Sequence, residues 1–349
     1  MAMPYPYMAW LCMSNDPDNT TTDNWTELHE YIWKELELPF GDALFLRSFN
    51  QNLPGQVNLA DQPHILKAHA HDSLHFWGDY QHARQRAFDR QDAEDAERAL
   101  AENNFTPRVW VDHSNNRANF IHSANEGTIP AFKDSSGVEY KNFNYSLDIA
   151  ERVGIKYVWN GTITPYISQD TDLPYASYLK DMGMSRSKRL IYPLLNTAAG
   201  NSRLGQFLPS ITNDNKQVWS HLFPDGRKLY CFIRYGTWED ADIDGLANII
   251  SPSNISKLLE RGGTCIAYTH LGKRKPSRAN DKQHIPETTR AALKNLKAQY
   301  EGKSLMLSSI STMLDYLVIR DNIVIDDTSG TINFKPDGIR FKKLTPEDL

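Results

Sequence analysis

Short apolar runs alternate along the chain with longer stretches in which apolar residues recur every three or four positions. Tyr7–Met13 is apolar and stops at Ser14-Asn15-Asp16-Pro17-Asp18-Asn19, the pattern of a buried strand that delivers acids to a loop. Residues 23–37 read as a helix. Asp23 caps it, Trp25, Leu28, Ile32 and Leu36 share a face, and Pro39 and Gly41 end it. Strands are expected at Ala43–Phe49 and His64–His69, a helix over Gln91–Asn104, a strand over Arg108–Val111, a helix near 145–153 and a strand over Ile155–Trp159. Asp225-Gly226, between Val218–Phe223 and Lys228–Tyr235, predicts a β-hairpin insertion within an irregular stretch at about 161–250. The alternation then resumes with a helix at 254–261, a strand at Thr264–Thr269, a helix at 286–300 and a strand beginning at Leu305-Met306-Leu307. A terminal hairpin is expected over Asn322–Phe341, around Ser329-Gly330.

Repeated strand-then-helix units predict an α/β fold with a parallel sheet and crossover helices. The chain has no GxGxxG after its first strand and no GxxxxGK[ST], so dinucleotide and P-loop folds lose their main support. The expectation is a distorted (β/α) barrel over residues 1–320 with a β-hairpin insertion, followed by a C-terminal β extension at 321–349. In such a barrel the strand C-terminal ends collect the active site. Three predicted strands end in acids or histidines: at Asp16/Asp18, at His69/His71 and at His270.

Composition narrows the functional classes. The 349 residues carry 38 Lys+Arg against 43 Asp+Glu, a net charge of −5, without the basic surplus that nucleic-acid binding requires. No apolar run approaches the ~20 residues of a membrane span. The polar run at Ser14 arrives too early for a signal-peptide core. Cys12, Cys231 and Cys265 form no spaced pair, which points to a reducing compartment. These features predict a soluble, cytoplasmic protein without a nucleic-acid partner.

His71 and His75 are four residues apart and share a face if the segment is a helical turn, so their imidazoles can converge on one ion. A divalent metal such as zinc, bound by two imidazoles, needs a third protein ligand, and Asp18 on a neighbouring strand end can supply a carboxylate. Asp16 is then available as a general base, and His270, where a buried strand exits, as a general acid. His69-Ala70-His71 offers an alternative, the HxH pair of an amidohydrolase- or phosphoesterase-like metal barrel.

The order of these pieces resembles the polysaccharide deacetylase family, the NodB-homology or carbohydrate esterase family four enzymes. The counterparts of its motifs are Ser14-Asn15-Asp16-Pro17-Asp18, His71-Asp72-Ser73-Leu74-His75 and Ala267-Tyr268-Thr269-His270. Gln91–Asn104 leading into Thr106-Pro107-Arg108-Val109-Trp110 resembles the family's linker, and the helix at 286–300 with Leu307–Leu314 resembles its ending. The resemblance implies a seven-stranded, TIM-like barrel that removes an acetyl group from an amino sugar or polysaccharide precursor. It implies a divalent metal, Zn2+ first among the candidates, on Asp18, His71 and His75, with Asp16 as base and His270 as acid. The chain departs from the family in three places: Pro17 separates the paired acids, which leaves Asp16 and Asp18 exchangeable as ligand and base; the Arg-x-Pro-Tyr motif, whose Arg orients the base, has no counterpart; and the fourth motif's Asp-Trp is represented at best by Trp159. The equivalent strand ends in Asp112-His113, which are candidates for orienting the base, and Trp159, Arg117 and His122 are candidates for contacting substrate. A barrel that binds glycan without catalysis is the remaining alternative.

Overall fold

A computed structural model describes residues 3–79, 90–111, 146–199, 212–223, 225–326 and 331–334, together with the two-residue strands Phe132–Lys133 and Glu139–Tyr140. Nine strands join one sheet: β1 (Ala9–Asn15), β2 (Asp42–Leu44), β3 (His71–His75), β4 (Val109–Val111), β5 (Tyr157–Thr164), β6 (Val218–Leu222), β7 (Lys228–Tyr235), β8 (Thr264–Thr269) and β9 (Leu305–Leu307). Eight run parallel in the order β9-β1-β8-β7-β5-β4-β3-β2, and β6 lies antiparallel against β7. The sheet curls into a half-barrel of TIM-like shape. Asn15 at the end of β1 donates to Asp42 at the start of β2 (2.8 Å), which brings the β2 edge round to β1.

Both faces of the sheet are apolar because helices cover the outside and a further helix fills the inside. Leu11, Met13, Cys265 and Ala267 pack outward against Leu28 of α1 (Thr22–Leu28), Ile32 of the π-helical turn that continues it (His29–Glu35), and helices over Pro252–Arg261 and Glu287–Glu301. Leu44, Leu74, Trp110 and Val158 pack outward against α2 (Arg90–Glu102) and α3 (Leu147–Arg152). Residues of opposite parity, Trp10, Cys12, Val109, Val111, Tyr157, Trp159, Tyr230, Phe232 and Ile266, gather inside with Ile310, Met313, Leu314 and Leu317 of the helix Ile310–Asn322. Each large apolar side chain removed from water in this way contributes about 1.5–3 kcal/mol. Asp72 fixes the inner helix, its carboxylate accepting the Ser311 N–H at 2.8 Å near the positive end of the helix dipole.

Several elements differ from the sequence expectation. Among the described residues the parallel strands number eight, where seven were expected. The predicted hairpin exists, but β7 is a central strand of the parallel sheet, so residues 218–235 are built into the barrel and are not an insertion. Pro63–Lys67 is a 3-10 turn where a strand over His64–His69 was expected, because Pro63 sits at the turn's first position and favours a helical start. His71–His75 is a strand and not a helical turn. At the C-terminal end, Ile323–Asp326 and Thr331–Phe334 pair antiparallel within the predicted terminal hairpin.

Candidate metal centre

The rows of inward-facing residues lead directly to the candidate site. In β1 the inner positions Trp10, Cys12 and Ser14 continue to Asp16; in β7, Tyr230 and Phe232 continue to Arg234; in β8, Ile266 and Tyr268 continue to His270. Polar groups thus replace apolar ones where the parallel strands end, the position at which barrels carry their chemistry. Asp16, Asp18, His75 and His270 are all buried.

Hydrogen bonds hold the loops that carry these groups. The Asp16 N–H donates to the Thr269 carbonyl at 2.8 Å, continuing the β1–β8 ladder by one residue. Asn15 links two further segments, donating to Asp42 and accepting the Leu271 N–H at 2.8 Å. Gly272 lets the loop after His270 approach the loop after Asp18: a Cβ at 272 would lie 2.4 Å from Thr20 Oγ1. The His270 N–H donates to the Ala241 carbonyl, and its ring Nδ1 lies 3.2 Å from the same oxygen. With Nδ1–H committed there, Nε2 is turned to the carboxylates.

Asp18 Oδ2 is the point of convergence. His270 Nε2 lies 3.2 Å from it, His75 Nε2 3.5 Å and Lys273 Nζ 3.5 Å. His270 Nε2 is also 3.7 Å from Asp16 Oδ2. One ligand atom each from Asp16, Asp18 and His270 falls within a 4.8 Å span. Carboxylate oxygens and imidazole nitrogens suit zinc and other first-row divalent ions, and this donor set can accept such an ion.

Arg234, fully buried, grips Asp16 with two parallel contacts, Nη1 to Oδ1 at 2.5 Å and Nη2 to Oδ2 at 3.1 Å, and donates to Ser14 Oγ at 2.9 Å. Its guanidinium lies over Trp159, 3.3 Å from the ring centroid, with Tyr268 at 4.1 Å. Burial by itself would raise the Asp16 carboxyl, but Arg234, with His75 and His270, holds it below the usual carboxylate range. Asp16 is therefore an oriented, ionised acceptor at neutral pH.

The structure thus brings four of the predicted residues together, Asp16, Asp18, His75 and His270, and sets Trp159 beside them under Arg234. His71 lies elsewhere, grouped with Asp42 and His69. The reason is a β-bulge: Asp42 pairs with His71 but Ala43 pairs with Ser73, so Asp72 is an extra residue that breaks the two-residue alternation between the histidines. Asp112, His113, Arg117 and His122 lie outside the described residues. Arg234 was not anticipated, although a lone charge in the apolar run Leu229–Tyr235 signals a buried partner. No family model, curated protein or solved structure matches the chain, and among the described residues no helix is long and apolar enough to cross a membrane.

Proposed function

We propose that the chain is a metal-dependent, deacetylase-like hydrolase that removes an acetyl group from an amino sugar or polysaccharide precursor. The observation that carries this reading is the pairing of two units at one strand-end site. One is Asp18, met by two imidazole Nε2 atoms; the other is Asp16, clamped by a buried guanidinium. Asp18 and His270 would hold the ion with His75, whose Nε2 lies 3.5 Å from Asp18 Oδ2. Asp16, within the same 4.8 Å span as Asp18 and His270, is held off it by Arg234 at both carboxylate oxygens. His270 thereby takes a ligand's place rather than the acid's. A bound divalent cation supplies a Lewis acid that polarises the acyl carbonyl and brings the pKa of water toward about 7.

The chain's own residues do the rest. Asp16 accepts the proton of the attacking water at a carboxylate oxygen and returns it to the departing amine or hydroxyl, so base and acid are one group. Arg234 orients Asp16 and keeps it ionised, the task that the deacetylase pattern gives to its third-motif arginine. Trp159 and Tyr268 enclose that guanidinium in a water-poor wall, which strengthens the ion pair. As a hydrolase site the HxH alternative is less well supported, because His71 opens β3 instead of ending it, although His69 and His71 do share a 4.8 Å span with Asp42.

Release of acetate from N-acetylated and O-acetylated sugars, measured before and after chelation, tests the reading. Activity that disappears on chelation and returns with zinc is expected. A metal-stripped chain that hydrolyses these substrates undiminished, or a zinc-loaded chain that releases no acetate, overturns it.

A further inference from the structure

A second cluster of metal-ligating side chains lies where β2 and β3 begin, beside the end of β1, where Asn15 donates to Asp42. Asp42, His69 and His71 each place a ligand atom within a 4.8 Å span, and none of the three belongs to the Asp18 group. His69 Nε2 lies 3.1 Å from Asp42 Oδ2, while its Nδ1 meets Nδ1 of His29 at 3.0 Å. The other Asp42 oxygen, Oδ1, accepts from Asn15 Nδ2 and from the Ala43 N–H. That leaves Oδ2 facing the imidazoles.

His71 supplies the deciding observation. Its Nδ1 lies 2.9 Å from the His69 carbonyl oxygen, so Nδ1 carries the proton and Nε2 carries the lone pair. That Nε2 is buried and has no hydrogen-bond partner among the described residues. A buried lone pair without a donor is costly in a site that has only hydrogen bonds to offer. A cation removes that cost. The pattern around the three ligands is also the one metal-binding histidines use, with the second ring nitrogen engaged by a carbonyl or a side chain behind it.

The geometry points to a second divalent-cation site, formed by Asp42, His69 and His71 with His29 behind His69, that takes a first-row transition ion such as zinc. Its role is to clamp. His69 stacks on Trp33 at 3.9 Å between ring centroids, and Trp33 belongs to the π-helical turn that packs on the outside of the sheet. An ion here would join the starts of β2 and β3 to that helix, and its binding energy would add to folding stability.

Cobalt(II) titration of the full chain, read by visible absorption and equilibrium dialysis, tests this site independently of the first. The wild-type chain is expected to take up two equivalents. Asp18→Asn/His75→Ala is expected to retain one, to gain thermal stability with zinc, and to lose both responses when His71→Ala is added. His69→Gln in the same background provides a second variant, and circular dichroism confirms that each remains folded. A doubly substituted chain that takes up no cobalt overturns the inference, as does uptake that neither His71→Ala nor His69→Gln reduces. A wild-type chain that takes up one equivalent, lost with His71→Ala and indifferent to Asp18 and His75, supports this site and removes the one at the strand ends.

Discussion

Replacing Arg234 by methionine tests the electrostatic core of the proposed site. Methionine keeps much of the side-chain length and the contact with Trp159 and Tyr268, but it leaves the Asp16 carboxylate buried without its two guanidinium contacts. Removing one partner of a buried pair costs about 3–5 kcal/mol, because the surviving charge is uncompensated. Lost cation–π attraction adds about 0.5–2 kcal/mol per ring. Urea unfolding followed by tryptophan fluorescence should therefore report a loss of at least about 3 kcal/mol at pH 7. Arg234→Met/Asp16→Asn should recover much of that loss, because no charge is left stranded. The sign with pH follows: Asp16's depressed pKa gives stability that is present above about 3.9, the unfolded carboxyl value, and is lost as the pH falls through the lower folded value. Arg234→Met removes the strongest of the influences that lower Asp16, so its carboxyl should take up a proton at higher pH than in the wild type. A loss below about 1 kcal/mol, the worth of an exposed pair, or a double variant no more stable than the single, would show that Arg234 does not compensate a buried Asp16 charge.

Three further outcomes are expected. Asp18→Asn and His75→Ala should each lower bound zinc at the strand ends and reduce kcat by about two to four orders of magnitude, measured by metal analysis alongside acetate release; unchanged metal content would count against these ligands. Gly272→Ala should destabilise the chain by about 1–3 kcal/mol, because its Cβ meets Thr20 Oγ1 at 2.4 Å and the Thr20 backbone nitrogen at 2.5 Å, and an unchanged denaturation midpoint would show that the two loops separate freely. His284 is held below the ordinary histidine range by burial, aided by Arg274 and Arg278, with Nδ1 accepting from Arg274 and Nε2 facing the Leu271 carbonyl. The unfolded chain then binds the extra proton, so stability falls as the pH drops from about 6.5 toward the folded value. A melting temperature whose slope over that window is identical in His284→Asn would contradict this.

Local pattern revealed the strands buried on both faces and much of the chemistry at their ends. Thr264–Thr269 was read to the residue, and Leu305–Leu307 begins where expected, because unbroken apolar runs ending in polar residues have one simple explanation in a parallel sheet. Asp16, Asp18 and His270 were legible for the same reason, as polar groups just beyond apolar rows, whereas His75 was singled out by its spacing from His71 on a helical turn that the structure replaces with a strand. His71 was misplaced because a four-residue spacing carries the same-face message in a helix and in a regular strand alike, and only pairing with β2 exposes the bulge at Asp72. Arg234 escaped notice because it is 218 residues from Asp16, and nothing local links a charge in one strand to an acid beyond another. The role of β7 was misread for a related reason: its turn and its β6 partner are local, whereas its pairing with β5 and β8 comes from the tertiary fold.

In the proposed centre, Asp18, His75 and His270 share one divalent ion at the strand ends. Diffraction data collected on both sides of the zinc absorption edge, from crystals grown with zinc, locate such an ion and its ligands. An anomalous peak is expected at about 2.0–2.2 Å from His75 Nε2, His270 Nε2 and an Asp18 carboxylate oxygen. A map at saturating zinc with no peak among those three atoms would eliminate this ligand set.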